Sequence, residues 1–233
     1  MRISVRFSAA LAAVAILALS SGTRAQAQST ASPTAGNGTY VATDPLAGVR
    51  YDNRYDVSLG MAYDHMKAGP ALLQGSNLGG LDLSASYWFS KHWAVEGSGR
   101  GYLGTSGAAP NTLSINGPFV SEYFFTAGPE WLGPHNKHGA LIAHVLAGGV
   151  YGNFEQDLRG NSPGSVGFYN DQIAPAVIIG GHMDLNRSAH WVFRITPDAV
   201  LTRYSTNYGS RITQNDLNFA ISVGIEYKFN KKR

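Results

Sequence analysis

LNFAISVGIEYKF, residues 217–229, alternates apolar and polar residues without a break. Leu217, Phe219, Ile221, Val223, Ile225, Tyr227 and Phe229 share one face, and Asn218, Ala220, Ser222, Gly224, Glu226 and Lys228 share the other. Successive side chains of a strand point to opposite sides, so this period of two specifies a strand with one apolar face. The same period recurs upstream. Tyr55, Val57, Leu59, Met61 and Tyr63 alternate with Asp56, Ser58, Gly60, Ala62 and Asp64. Further segments run over 81–89, 93–103, 119–131, 173–185 and 191–204. Residues 140–151 are apolar on both faces apart from His144, the least distinct strand of the set. Eight segments result, each long enough for the roughly 9–11 residues that a tilted membrane strand needs. Pro129, Pro175 and Pro197 lie in or near them and predict bulges or strand ends, because proline cannot donate to a ladder.

Composition narrows the class. A chain of 233 residues suits one domain. Charged residues are 14 %, against about 25 % in ordinary soluble domains. Mean hydropathy is only −0.12, and no long apolar run follows the N-terminal region, which argues against a helical membrane protein. Low charge with moderate hydropathy fits a membrane barrel, in which one face of each strand meets lipid. Cysteine is absent, so disulfides and the structural zinc patterns built on cysteine are excluded. A net charge of +3 with no basic cluster on a helical face gives no reason to expect a nucleic-acid partner.

Residues 1–27 read as a signal peptide: Arg2 and Arg6, then apolar residues 9–19, then Ala25-Gln26-Ala27 as the cleavage signature. The apolar run is too short for the roughly 20 residues of a spanning helix. Residues 28–54, rich in Ser, Thr, Ala and Gly, read as a flexible leader, 55–229 as the barrel, and 230–233 as a basic tail. Connections at 90–92, 132–138 and 186–190 are short, and those at 67–80, 104–118, 152–170 and 205–214 are longer. Outer-membrane barrels alternate short periplasmic turns with longer outer loops in this way.

The apolar face could line a soluble barrel or meet lipid around a membrane barrel. Aromatic placement favours lipid. Phe89, Trp93, Trp131, Trp191, Tyr227 and Phe229 gather at the short-turn end, and Tyr63, Phe119, Tyr123 and Tyr151 toward the loops. Two such belts match the girdles at membrane interfaces. The other face carries complementary charge. If Phe89 stands opposite Trp93, Asp82 faces Arg100, and across a later turn His182 and Asp184 come near Arg194. Such pairs are expected to stabilise a barrel interior.

The alternating, aromatic-ended strand closing at Phe229 resembles the C-terminal signal of bacterial outer-membrane proteins. The eight-strand layout of 55–229 is similar to small porin-like outer-membrane barrels of the OmpA/OmpX and opacity type. Residues 230–233 depart from the pattern, since the family usually ends on the aromatic. The resemblance implies an all-β, up-and-down transmembrane barrel in the bacterial outer membrane. Its implied partners are outer-membrane lipid, the assembly machinery that reads the C-terminal strand, and a surface ligand of the loops.

No cofactor, metal or catalytic site is expected. Asp64, His65 and Ser76 form the nearest approach to a nucleophile–base set, without a recognised spacing. His92, His135, His138 and His190 fall in short turns and read as interfacial residues. His144 reads as a hydrogen-bonded interior residue. An eight-stranded barrel is just wide enough for side chains to fill it, and Asp82, Trp88, Glu96, Arg100, Phe124 and Arg194 would plug much of this one. The expected role is therefore structural or surface-interacting and non-enzymatic. A narrow passage for ions or small solutes, and a soluble periplasmic barrel binding an apolar ligand, are the alternatives.

Overall fold

The computed structural model describes residues 44–72, 74–108, 115–207 and 212–229. Eight strands follow in order: β1 Tyr55–Met66, β2 Ser76–Trp88, β3 Trp93–Thr105, β4 Phe119–His135, β5 Gly139–Asn153, β6 Gln172–Asn186, β7 Trp191–Thr206 and β8 Ile212–Lys228. Each pairs antiparallel with its chain neighbour, and β1 pairs with β8 to close the barrel. A one-turn helix, α1 (Pro163–Val166), interrupts the β5–β6 loop. The signal-peptide segment 1–27, leader residues 28–43 and the tail 230–233 lie outside the described residues.

The alternation resolves into inside and outside. The outward face exposes Leu59, Leu83, Val95, Ile179, Phe219 and Ile225, with Phe125 at 72 %. The inward face buries Asp56, Asp82, Glu96, Arg100, His144 and Arg194. A water-soluble barrel inverts this arrangement, because large continuous apolar surfaces are rare on soluble monomers. The soluble alternative, with an apolar lining, is not the arrangement found.

Several strands run past their alternating stretches. β2 begins at Ser76 and β8 at Ile212, so the β7–β8 ladder extends to Thr206↔Ile212. The expected long connection 205–214 thereby shrinks to 207–211, comparable to the turn 187–190, and the strict short–long rhythm is lost there. Beyond the bilayer a strand meets water on its outer face, so polar residues such as Thr213 and Asn215 continue the ladder without the apolar period that marks it in sequence.

The three prolines neither end a strand nor shift its register. Pro129 pairs with Val95 on the β3 side, while the β4–β5 ladder skips from Ala127↔Ala147 to Glu130↔His144 in unchanged register. Pro197 likewise pairs with Ile221 toward β8 and leaves a gap toward β6. Pro175 pairs with Gly149, just beyond the first β6–β7 partner, Ala176. Each missing N–H affects one of a strand's two ladders, so pairing on the other side carries the strand through. The bulge lies elsewhere, between Leu132 and His135.

At the closing seam Gly60 stands opposite Gly224. A Cβ at Gly224 would collide with the carbonyl oxygen of Leu59 and lie 2.5 Å from the Gly60 Cα. The obstacle is backbone and cannot rotate away. Gly224→Ala is therefore expected to destabilise the barrel by about 1–3 kcal/mol, the usual cost of overpacking. A lowered temperature of loss of the heat-modifiable folded band checks this, and an unchanged temperature would show that the seam has room.

Candidate functional site

The polar interior is the best-built feature of the barrel, and turn geometry explains part of it. The amides of Phe89 and Ser90 both donate to the Trp93 carbonyl, each at 3.2 Å, which fixes the β2–β3 register. Asp82 then lies opposite Arg100, and Ser84 opposite Ser98. Arg100 Nε is 3.4 Å from Asp82 Oδ1, but its closer partner is Asp198 Oδ2 on β7, 2.5 Å from Nη1. Across the β6–β7 turn, Asp184 stands opposite Arg194. Arg194 grips Asp184 with two bonds of 2.7 and 3.0 Å and reaches Glu226 at 2.8 Å. His182 turns to other partners: Thr196 Oγ1 at 2.8 Å, and Glu96 and His144 at 3.2 Å each.

Among the described residues, side chains crowd both ends of the interior. Toward the loops, Phe154, Phe168 and Tyr169 from the β5–β6 connection pack with Tyr102, Phe124 and Tyr204 in one buried cluster. The Tyr204 hydroxyl donates to Glu122 at 2.5 Å, and that of Tyr169 to Asp216 at 2.5 Å. Burial, reinforced by Asp216, pushes the Tyr169 hydroxyl pKa up. Toward the short turns, Trp88 and Leu132 pack with Tyr51, and the Trp88 indole donates to Asp56 at 2.6 Å. Tyr51 accepts a bond from Asn186 Nδ2 at 2.7 Å, donates to the Asn136 carbonyl at 3.1 Å, and lies 4.4 Å beneath the Lys228 ammonium. Burial raises the Tyr51 hydroxyl pKa, against the Asn186 bond. Part of the stretch read as a leader thus folds across the turn-end mouth. The Asp44–Lys137 ion pair, 3.3 Å, ties down its start.

The aromatics expected in a girdle divide by exposure. Phe89, Trp93, Trp131, Trp191 and Phe229 are exposed at the turn end, and Tyr227 is half-buried between Trp191 and Phe229. The rim histidines do not converge on one point. The Nδ1 atoms of His92, His135 and His190 face the carbonyls of Leu132, Gly133 and Lys228, at 3.3, 2.9 and 2.9 Å. Asp64, His65 and Ser76 do not converge either, because the period of two sends Asp64 and Ser76 inward and His65 outward to Asn77. Glu122 and Tyr204, on strands β4 and β7, join only through the curvature of the barrel, and nothing in their local sequence announces it.

No family model matches the chain, and no curated protein matches it. Solved structures do. Outer membrane protein OprG from Pseudomonas aeruginosa is 15 % identical, with 79 % of this chain and 99 % of that one covered and a TM-score of 0.51. Neisserial surface protein A is 13 % identical, with 75 % and 97 % covered and a TM-score of 0.50. Ail, the attachment invasion locus protein of Yersinia pestis, is 20 % identical, with 76 % and 99 % covered and a TM-score of 0.47. At such identities the likeness speaks for architecture, and the architecture is that of the small, closed, eight-stranded barrels of the bacterial outer membrane.

Proposed function

We propose that the protein is an integral outer-membrane barrel with a closed interior, non-conducting and non-enzymatic, that presents its loops as an interaction surface. One observation carries this reading: among the described residues, buried side chains occupy both ends and the middle of the interior. Tyr51, Trp88 and Leu132 pack at the turn end, Arg194 clasps Asp184 and Glu226 from its two flanking strands, the Arg100–Asp198 pair spans the lumen, and an aromatic cluster packs at the loop end. A general pore needs a continuous water path, and side chains suffice to fill an eight-stranded barrel. The β5–β6 loop supports the surface role. It is anchored rather than trailing, with Asp171 accepting the amides of Phe154 at 2.6 Å and Glu155 at 3.0 Å. Asp157 and Arg159 hold positive φ within it. Planar-bilayer recording of the refolded protein is expected to show no steady conductance. Large, steady, solute-permeable steps would sink the closed reading in favour of a narrow passage.

A further inference from the structure

We propose that Glu96, His144 and His182 form a binding site for a divalent transition-metal ion of the Zn²⁺ class inside the barrel. Three ligand atoms on three strands meet at one point. Glu96 Oε2 lies 2.7 Å from His144 Nδ1 and 3.2 Å from His182 Nε2, and the two nitrogens are 3.2 Å apart. Zinc binds imidazole nitrogen and carboxylate oxygen at about 2.0–2.2 Å, which sets neighbouring ligands of a tetrahedral ion about 3.3 Å apart. The triangle already has nearly those dimensions.

Hydrogen bonding alone accounts for the triangle poorly. Each ring nitrogen offers either one proton or one lone pair, so three mutual contacts cannot all be full hydrogen bonds. Two N–H groups aimed at one oxygen oppose each other across the nitrogen–nitrogen edge. A bare nitrogen that accepts from its neighbour points its lone pair at the carboxylate. A cation above the triangle makes all three contacts attractive.

The outer partners favour the required tautomers. His144 Nε2 lies 2.9 Å from Asp198 Oδ1, and His182 Nδ1 lies 2.8 Å from Thr196 Oγ1. Protons on those outer nitrogens leave the inner lone pairs facing Glu96. Ligating histidines commonly donate their second N–H to such oxygen acceptors. Asp198 is held in turn by Arg100.

Charge adds an independent reason. Glu96 is 0 % exposed and its Oε1 has no hydrogen-bond partner. Among the described residues, buried carboxylates outnumber buried Lys and Arg side chains ten to three. An interior this short of cations favours binding one, since uncompensated buried charge is costly. The proposal departs from the sequence expectation of no metal, and it does not depend on what the loops bind.

Buried side chains crowd both ends of the interior, so the test supplies the ion during folding. Tag-free full chain is refolded into detergent micelles with ZnCl2, passed through gel filtration and assayed for metal. One zinc per chain is expected, with an unfolding temperature above that of protein refolded in chelator. His144→Gln/His182→Gln is expected to lose the stoichiometric zinc and the zinc-dependent temperature shift. Thr196→Val, which keeps all three ligands, is expected to bind about 10–100-fold more weakly. Wild-type protein that folds without retaining zinc overturns the proposal. So does zinc retained undiminished by the double variant, which would assign it to the rim histidines. If the double variant fails to fold, Thr196→Val decides, and an affinity equal to wild type refutes the site.

Discussion

Arg194→Ala is expected to cost the barrel about 3–5 kcal/mol of unfolding free energy, the range seen when one partner of a buried ion pair is removed. Arg194 is buried and binds Asp184 through two nitrogens and Glu226 through a third contact. Without it two carboxylates face each other in a cavity that water cannot readily reach. The sign is secure because the penalty comes from the charges left behind, not from the bond energy lost. Arg194→Lys should recover only part of the loss, since an ammonium cannot reproduce the planar two-pronged grip. Arg194→Met combined with Asp184→Asn and Glu226→Gln should recover most of it, because neutral groups leave little charge to strand. Urea titration followed by tryptophan fluorescence in micelles measures all three. A loss under about 1 kcal/mol for Arg194→Ala would mean that water or a mobile cation already screens the carboxylates.

The exposed Asp44–Lys137 pair sets the contrast. Both side chains are about half exposed, and such pairs contribute little in water. Location, not the presence of opposite charges, decides what an ion pair is worth here.

What the sequence discloses follows from the range of each interaction. Strand identity and facing are local, because the period of two in β8 or β1 needs only neighbouring residues. The Asp82–Arg100 juxtaposition is nearly local, since a tight turn at 90–92 sets the register that brings them together. Arg100 to Asp198 and Glu122 to Tyr204 cross the lumen between strands remote in sequence, and the Glu96–His144–His182 triangle joins the neighbouring strands β5 and β6 to β3. Each strand contributes one residue, so no spacing marks them. Boundaries fail for a different reason. Where β2 and β8 project past the lipid their outer faces need not be apolar, and the period that identifies them fades. The docking of Tyr51 is hidden because no apolar period surrounds it in residues 48–54.

Leu59→Arg carries the membrane reading, because its sign depends on the solvent. Leu59 is 53 % exposed, midway along β1 between Tyr55 and Tyr63, with Leu83 and Ile225 as its cross-strand neighbours. Belts of the kind expected from the sequence would put that point near mid-bilayer. In water, a surface substitution of this kind changes stability within about 0.5 kcal/mol. In a bilayer, arginine on the lipid face at the midplane costs about 2–4 kcal/mol, falling to about 0–1 near the interfaces. Reversible unfolding in phospholipid vesicles is therefore expected to show the full loss for Leu59→Arg and a much smaller one for Tyr63→Arg on the same strand. Both variants add the same charged residue to the same face, so the added charge cancels; Tyr63→Arg also loses the hydroxyl bond to Asn77, so depth must outweigh that loss for the expected order to appear. Equal small effects at both positions would place Leu59 in water and remove the membrane from the account of this barrel, while leaving its closed interior intact.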